Sequence, residues 1–386
     1  MKGLIQLPYD ASVRVILALL ERNLLPDAVV RGLTRLLSAS RLRSGYKPSS
    51  DLQLSDLFHF VHSLKQMPIA IMTEKPKAQH YELPTSFFKL VLGKNFKYRR
   101  LIREDDAEEA MLELYCERSQ LKDGHTVLDI GCGWGSLSLY IARNYRNCRI
   151  TGICNSTTQN AFVEEQCREH LLQNVEIIVA DISTIEMVAS YDRIFSIGMF
   201  EHLKNYKDLL HKISKWMERD SLLFVDHFCH KAFAHHFEAC LFVEHLNILF
   251  ERPALAYIKR YIPSSVYIQD INEDDWITRY FFAGGTMPAA NLLLYFQDDV
   301  SAVNHWLVNG KHYAQTNVLK TLHEEGLKRM DKNLALMKPI MESTYGKEQS
   351  LKWTVYWRTF FIAVAELFRY NNGEEWMVAL FLFKKK

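Results

Sequence analysis

Two adjacent residues, Glu201 and His202, carry side chains that could do acid–base chemistry. They follow an apolar run at residues 193–197 that predicts a buried strand. A carboxylate can attract a cation, and an imidazole can accept its proton near neutral pH. A simpler interpretation is also open, in which Glu201 lies near the amino end of a helix and His202 is a partly buried ring.

A second chemical feature is the run from Val127 to Gly135, which reads VLDIGCGWG. Its apolar start predicts a buried strand with Asp129 near the carboxyl end. The glycines, which include Gly131 and Gly133, allow the backbone to approach a ligand where a Cβ atom would collide. Because Asp129 precedes the first glycine, the run differs from the dinucleotide-binding pattern. It predicts a turn that holds a nucleoside-bearing cofactor, although an ordinary strand–turn–helix corner is the alternative.

Both features require a sheet whose strand ends lie side by side. Further apolar runs predict strands at residues 149–154, 175–179, 193–197 and 222–225, with a closing strand at 376–383. Helical stretches separate the earlier strands, as the βαβ units of a parallel sheet require. Ligands bind beyond the carboxyl ends of such strands, and Asn155 and Asp181 fall there.

Helical patterns flank the predicted sheet. Apolar residues recur at helical spacing in residues 13–24, 29–37, 54–64 and 353–368. We expect the early helices to pack on the sheet domain, and we expect core positions for Trp353, Phe361 and Val364. The predicted organisation is a helical amino-terminal region at 1–120 and an α/β domain at 121–386, with a helical substrate cap before the last strand.

Composition restricts the partners and the compartment. The 386 residues include 47 basic and 45 acidic side chains, so bulk charge gives no case for a nucleic-acid partner. Seven cysteines without framework spacing favour a reducing compartment. The apolar run at residues 15–20 is too short to span a bilayer, and no signal-peptide arrangement precedes it. We expect a cytoplasmic protein without stable membrane insertion, although Arg31, Arg35, Arg41 and Arg43 leave a membrane-surface contact open.

Several stretches together resemble the cyclopropane-fatty-acid-synthase-like methyltransferases, and within them the plant coclaurine-type alkaloid N-methyltransferases. Residues 127–135 resemble motif I of the S-adenosylmethionine-dependent methyltransferases. The other matching stretches lie at residues 79–84, 92–94, 153–159, 199–206, 295–306, 310–313 and 369–376. The resemblance covers most of the chain from about residue 50 onward. It implies a Rossmann-like class I methyltransferase fold of the α/β class, with S-adenosyl-L-methionine as cofactor.

The resemblance also assigns cofactor contacts. They would be Asp129, Gly131, Gly133, Gly135, Asn155, Gln159, Asp181, Ile182 and Tyr98. An acidic group after the third strand can accept a hydrogen bond from the adenine amino group, and Asn155 can bond to ribose hydroxyls. Nucleoside-binding folds usually place a carboxylate at that position, so a simple turn role for Asn155 is equally open.

An aromatic amine is the substrate that the resemblance implies. The matching substrate-pocket positions are Tyr81, Tyr356, Trp357 and Phe360. Ring faces attract an ammonium group, and apolar surroundings favour an aryl ring. Methyl transfer to an amine needs a free lone pair, so we expect Glu201 to anchor the ammonium and His202 to act as base or orienting partner.

We expect no metal site. Methyl transfer needs none, and the sequence around the neighbouring histidines lacks a tight ligand set. These histidines are His227, His230, His235 and His236.

Three departures from the family pattern affect the interpretation. Gly198 stands where coclaurine-type relatives usually have glutamate, which predicts a roomier, less acidic pocket that tolerates varied amines. Residues 239–269 form an apolar, aromatic insertion that could be a lid, a dimer contact or untranslated sequence carried into the reading frame. The serine and cysteine expected shortly after Tyr98 are missing, which argues against lipid cyclopropanation.

The sequence therefore predicts an S-adenosylmethionine-dependent N-methyltransferase. Its substrate would be a small aromatic alkaloid amine of the benzylisoquinoline or phenylalkylamine type, and a homodimer could form. Two alternatives stay open: a lipid methylene transferase of the same superfamily, and a catalytically impaired paralogue that still binds the cofactor.

Overall fold

A seven-stranded sheet forms the centre of the protein in the computed structural model, which describes residues 14–71, 83–92, 104–237, 281–311 and 322–386. Its strands are β1 (Thr126–Ile130), β2 (Arg149–Cys154), β3 (Val175–Val179), β4 (Tyr191–Ile197), β5 (Met217–His230), β8 (Val300–Val308) and β9 (Trp376–Lys385). Their spatial order is β3-β2-β1-β4-β5-β9-β8. The first five strands are parallel, whereas β9 runs antiparallel to β5 and β8. A separate two-stranded sheet pairs β6 (His235–His236) with β7 (Thr286–Met287). The predicted α/β sheet is confirmed.

Helices connect and cover the strands. They are α1 (Asp27–Gly45), α2 (Ser50–Leu64), α3 (Thr85–Leu92), α4 (Glu104–Arg118), α5 (Ser136–Asn144), α6 (Thr157–Glu169), α7 (Tyr206–Lys215), α8 (Leu322–Lys332), α9 (Leu334–Tyr345) and α10 (Lys347–Arg369). Residues 14–21 are helical too. None of the helices in the described ranges is both long and apolar enough to cross a membrane.

Strand β8 is the strand of the central sheet that the sequence does not predict. It lies at the edge of the sheet and pairs with β9 alone. The polar pair Asn304 and His305 interrupts its apolar residues, and Val303 is exposed. An edge strand with one covered face gives a weaker apolar pattern than the buried central strands do.

The amino-terminal helices pack against α10, partly through buried polar contacts. Glu21 accepts a hydrogen bond from the Tyr356 hydroxyl, and its Oε1 atom lies 2.9 Å from Nζ of Lys352. On α1, Nη1 of Arg31 lies 2.7 Å from Oε1 of Glu366. These contacts attach the amino-terminal region to the helix that precedes the last strand.

The apolar stripes of these early helices are only partly covered. Leu20, Val30, Leu57, Val61 and Leu64 are buried. Leu36, Leu37 and Phe58, by contrast, are 65%, 57% and 51% exposed. The expected packing is therefore confirmed for one side of each stripe only.

Along α10, the expected core positions differ in burial. Phe361 and Val364 are buried, as predicted. Trp353 is only half-buried, and its ring stacks on Tyr345 with centroids 4.4 Å apart. Trp353 thus packs between two helices near the surface and lies outside the centre of the core.

Two apolar cores lie on opposite faces of the sheet, because successive residues of each strand point to opposite sides. Along β1, for example, Val127 faces the core that contains α10, and Leu128 faces the core that contains α7. The strand order reverses between β1 and β4, since β2 lies on one side of β1 and β4 on the other. A crevice beyond the carboxyl ends of the strands forms at such a reversal, and it is where ligands bind in this class of sheet.

Candidate active site

Backbone hydrogen bonds shape the turn between β1 and α5. The N–H groups of Gly131 and Cys132 both donate to the carbonyl of Ile153, at 2.9 and 3.0 Å. Gly135 caps α5 with a φ of 76°. A Cβ atom added to Gly135 would lie 2.7 Å from Cγ2 of Val163, so conformation and space both require glycine there.

Gly133 marks the open side of this turn. Its φ is 56°, and the nearest atoms to an added Cβ are 4.0 Å away, namely Nε2 of Gln159 and the carbonyl oxygen of Gly131. A ligand could therefore approach the backbone closely at Gly133, in contrast to the crowded position at Gly135.

The carboxylate of Asp129 lies beneath the turn and is buried. Its Oδ2 atom accepts a hydrogen bond of 2.7 Å from the hydroxyl of Ser138, which lies in the first turn of α5. This bond fixes the carboxylate at the base of the turn. There the negative charge can attract the ammonium group of a ligand.

The segments after β2 and β3 lie at the same edge because these strands pair in parallel register, with Cys154 opposite Val179. Asn155 follows β2 and is half-buried. Gln159 is buried in the first turn of α6, where Ser156 caps the helix by accepting the N–H of Gln159 at 3.3 Å.

Asp181 begins the turn after β3. Its Oδ1 atom accepts the N–H and the hydroxyl of Ser183, at 2.8 and 2.7 Å. Ile182, next in the chain, is buried in the core beside α7. The structure thus brings the described members of the predicted cofactor set to one edge of the sheet: Asp129, Gly131, Gly133, Gly135, Asn155, Gln159, Asp181 and Ile182.

Glu201 and His202 lie on a single 3₁₀ turn, Phe200–His202, close after β4. The residue Glu201 is only 1% exposed, whereas His202 is half-buried. Burial raises the pKa of Tyr206 and of Cys229, and the charge of Glu201 raises both further. Tyr206 and Cys229 are therefore uncharged neighbours of Glu201 at neutral pH.

Gly198 occupies the short link between β4 and this turn. Its φ is 69°, and its N–H donates to the carbonyl of Asp226 at 2.8 Å. A side chain at position 198 would have to adopt a left-handed backbone conformation, which L residues rarely do. The backbone at position 198 thus favours glycine, where coclaurine-type relatives usually have glutamate.

A buried lysine, Lys204, fastens the same segment to the small sheet. Its Nζ atom donates to the carbonyl of Gly285 at 2.8 Å and lies 2.8 Å from Nδ1 of His236. Burial first, and then the charge of Lys204, hold the pKa of His236 well below its usual range, so this ring is neutral and accepts from the ammonium. The hydroxyl of Thr286 adds a 3.0 Å bond to the carbonyl of Leu203. Sequence reasoning did not identify Lys204 as a site residue.

Aromatic rings lie beside His202. The ring of Phe282 stacks against His202 at 5.9 Å and against Phe237 at 4.8 Å. Phe360 lies 6.1 Å from Phe282 and stacks on Phe281 at 4.5 Å. Phe360 was predicted as a pocket residue, whereas the three other phenylalanines were missed; the Phe281–Phe282 pair just before Gly284 and Gly285 was the available signal.

Tyr356 and Trp357 point in different directions from α10. Trp357 is buried, and its ring lies 5.2 Å from Phe281 and 5.1 Å from Phe87. The Tyr356 hydroxyl instead donates to Glu21 of the amino-terminal helix. The structure therefore joins Trp357 to the aromatic cluster and directs the polar end of Tyr356 away from it.

Some predicted features lie outside the described residues. They are Tyr81, Tyr98 and the insertion at residues 239–269.

The described histidines near β5 act as hydrogen-bonding partners. Nδ1 of His230 accepts the N–H groups of Ala232 and Phe233, at 3.1 and 3.2 Å, and its Nε2 lies 3.3 Å from Oε2 of Glu375. Burial lowers the pKa of His230 to about 4. Within the ranges that the structure covers, no group of three or more histidine, cysteine or acidic side chains is arranged to hold a metal ion.

Comparison with known proteins places this geometry in a family. Residues 71–372 match the family model described as mycolic acid cyclopropane synthetase. An (S)-coclaurine N-methyltransferase of Thalictrum flavum subsp. glaucum is 44% identical, over 98% of this chain and 98% of that protein. A pavine N-methyltransferase of the same plant is 40% identical over 95% of each chain.

A solved structure is also similar to this chain over nearly its whole length. The crystal structure of a coclaurine N-methyltransferase bound to N-methylheliamine and SAH superposes with a TM-score of 0.84 at 42% identity, and the match covers 97% of this chain and 100% of that one. The fold, the enzyme class and the cofactor therefore agree with the sequence-based expectation. The chain belongs to the cyclopropane-synthase-like family of S-adenosylmethionine-dependent methyltransferases, in its branch of coclaurine-type N-methyltransferases.

Proposed function

We propose that this enzyme transfers a methyl group from S-adenosylmethionine to the nitrogen of an aromatic alkaloid amine of the benzylisoquinoline or phenylalkylamine type. One observation carries the proposal. The Glu201–His202 turn follows β4, the neighbour of the strand that leads into the glycine turn, and it contacts a cluster of aromatic rings, in a chain 44% identical to a coclaurine N-methyltransferase.

The described residues fit the cofactor. The open space at Gly133 allows close approach of a ligand, and the buried carboxylate of Asp129 suits the ammonium of its amino-acid part. Asn155 would bond to the ribose and Asp181 to the adenine amino group. Gly131, Gly135, Gln159 and Ile182 would complete the described contacts, and Tyr98 belongs to the same proposal.

When bound, S-adenosylmethionine supplies an electrophilic methyl group. The amine must meet it with a free lone pair, although an aliphatic amine is mostly protonated in neutral water. Glu201 would attract the ammonium, and its burial strengthens that attraction because water screens it less. His202, half-buried and nearer to solvent, would accept the proton and release it to water.

The aromatic cluster would hold the aryl part of the amine. Phe282 and Phe360 are only partly buried, so the exposed parts of their rings can contact an aryl ring or a cation. Trp357 would support them from behind, and Tyr81 belongs to the proposed lining. Tyr356 would take part through its ring only, because its hydroxyl is bonded to Glu21.

The glycine at position 198 supports a broad amine range. No side chain projects from position 198 beside the Glu201 turn, so the proposed pocket is wider and less acidic there. We include in the proposal a cytoplasmic location in a plant cell, a homodimer, and the division into residues 1–120 and 121–386.

Transfer of labelled methyl from S-adenosylmethionine tests the proposal. The acceptors would be a panel of phenylalkylamines, benzylisoquinolines and unsaturated phospholipids, with the labelled atom located by mass spectrometry. Label on an amine nitrogen is the expected result. Label found in lipid alone, or bound cofactor without turnover on any amine, would contradict it and favour a lipid-modifying synthase or an impaired paralogue.

A further inference from the structure

Lys212 is a buried cation on α7 that is tied to the turn after β3. Its side chain is 11% exposed. Nζ donates to three backbone carbonyls of the turn, those of Ile182 at 3.4 Å, Ser183 at 3.0 Å and Ile185 at 2.9 Å. A lysine ammonium has three N–H donors and no acceptor, so these carbonyls match its full donor capacity.

The ion pair of Lys212 is the weaker part of this arrangement. Nζ lies 3.4 Å from Oε1 of Glu186, but the Glu186 side chain is 74% exposed. Exposed ion pairs contribute little to stability, because water screens them. The buried bonds to the turn carbonyls are therefore the reason for a lysine at this position.

The same turn is held from its other side by Asp181. Oδ1 of Asp181 accepts the N–H of Ser183 at 2.8 Å, and the Asp181 carbonyl accepts the N–H groups of Thr184 and Ile185 at 3.1 and 2.9 Å. The peptide between Ile182 and Ser183 is thus bonded at both ends, its carbonyl to Lys212 and its N–H to Asp181. Fixing that peptide also fixes the direction of the Asp181 carboxylate.

We propose that Lys212 is a positioning residue for adenine recognition, which rests on the proposed function because the adenine contact is assigned to Asp181. By drawing three carbonyls of the turn toward α7, Lys212 keeps the Asp181 carboxylate in place before the cofactor arrives. The carboxylate can then accept a hydrogen bond from the adenine 6-amino group without first being ordered, and preorganisation of this kind increases affinity.

The position of α7 adds a reason for a rigid attachment. This helix begins immediately after the Glu201–His202 segment, where Asn205 caps it by accepting the N–H of Asp208 at 3.1 Å. Lys212 lies on the same helix, one to two turns further on. One helix therefore fixes the acceptor segment at its start and the adenine turn near its end.

Calorimetric binding of two ligands tests this role without any amine. The ligands are S-adenosylhomocysteine and its inosine counterpart, in which oxygen replaces the 6-amino group. We expect Lys212→Met to weaken the binding of S-adenosylhomocysteine about tenfold, corresponding to ~1.4 kcal/mol. The binding of the inosine counterpart should weaken less than twofold. Lys215→Met is the matched control, because Lys215 lies on the same helix and is exposed; it should change neither affinity.

Equal weakening of both ligands by Lys212→Met would overturn the proposal, since it would show a structural role alone. Equal affinity of the wild-type protein for the two ligands would also overturn the proposal. Binding of neither ligand by the wild type would instead contradict the proposed function itself.

Amide hydrogen exchange of the wild type provides a second test if Lys212→Met does not fold. We expect the amides of Ser183, Thr184 and Ile185 to exchange slowly in the free protein, with little added protection when S-adenosylhomocysteine binds. Rapid exchange in the free protein, followed by strong protection on binding, would overturn the proposal, because the turn would then be ordered by the ligand.

Discussion

The cofactor side and the acceptor side of the site are built in different ways. On the cofactor side, the segments that follow consecutive strands carry glycines and carboxylates and are fixed by local hydrogen bonds. One example is the pair of bonds that the N–H groups of Gly131 and Cys132 donate to the carbonyl of Ile153. On the acceptor side, the Glu201 turn meets aromatic rings from distant parts of the chain, among them Phe282 and Phe360.

This difference implies separable functions for the two sides. The cofactor side depends on backbone geometry, so its changes should appear mainly in cofactor affinity. The acceptor side depends on a buried carboxylate, a half-buried imidazole and ring faces, so its changes should appear mainly in turnover and amine affinity. Variants that affect one side and spare the other distinguish these expectations.

The largest effect is expected for Glu201→Gln. The amide keeps the shape of the side chain but neither attracts the ammonium nor helps to remove its proton, so we expect kcat/KM for the amine to fall about 10²–10⁴-fold. Affinity for S-adenosylhomocysteine should stay within twofold in calorimetry. A comparable loss of cofactor affinity would show that the two sides are not separable.

A second prediction concerns Gly135→Ala. The left-handed backbone costs ~1–2 kcal/mol for an alanine, and crowding against Val163 adds ~1–3 kcal/mol. We expect lower affinity for S-adenosylhomocysteine and a lower free energy of unfolding in urea. Gly124→Ala is the matched control, because Gly124 also has a positive φ but meets no atom within 4 Å of an added Cβ. Equal losses in both variants would contradict the crowding argument.

Acid should destabilise the fold through the buried histidines at and after the end of β5. The pKa of His230 is about 4 in the folded protein, whereas an unfolded histidine titrates near pH 6.5. The unfolded state therefore binds more protons between these values, so the free energy of unfolding is highest above pH 6.5. It falls toward pH 4 by an amount on the order of 3 kcal/mol. Burial lowers the pKa of His235 and His236 in the same direction.

Urea unfolding at a series of pH values between 4 and 7 measures this slope. His230→Gln should flatten the slope, because it removes one of the buried histidines that take up a proton on unfolding. An unchanged slope in that variant would assign the acid sensitivity to other groups.

The smallest effect is expected for Phe282→Leu. Leucine keeps most of the apolar surface but loses the ring face beside His202, so we expect KM for an aromatic amine to rise several-fold, in line with ~0.5–1.5 kcal/mol for such a ring contact. Phe58→Leu is a suitable control, since Phe58 is largely exposed on α2. An unchanged KM with Phe282→Leu would remove Phe282 from the proposed pocket.

The sequence predicts the cofactor side more completely than the acceptor side for a physical reason. Strands β2 and β3 have the predicted bounds, and the glycine turn follows β1, because local apolar runs and turn residues determine these elements. The Phe282 contact with His202 joins residues 80 positions apart, and no local pattern indicates it.

Helical periodicity likewise identifies a face without identifying its partner. The stripe on α10 predicts that Tyr356 and Trp357 are covered, and both are buried. Which one lies by the aromatic cluster depends on the amino-terminal helix, whose Glu21 binds the Tyr356 hydroxyl. Lys204 and Lys212 were missed for the opposite reason, since a lysine in a sequence normally indicates a solvated surface.

Amine basicity provides the most direct test of the central claim, that Glu201 and His202 prepare the amine by removing its proton. The measurement is the loss of kcat/KM caused by Glu201→Gln on two amines of the same shape, one strongly basic and one made weakly basic by an electron-withdrawing substituent. The weakly basic amine already has a free lone pair at neutral pH, so we expect a much smaller loss for it. Equal losses for the two amines would contradict the claim and show that the effect of Glu201 does not depend on the protonation of the amine.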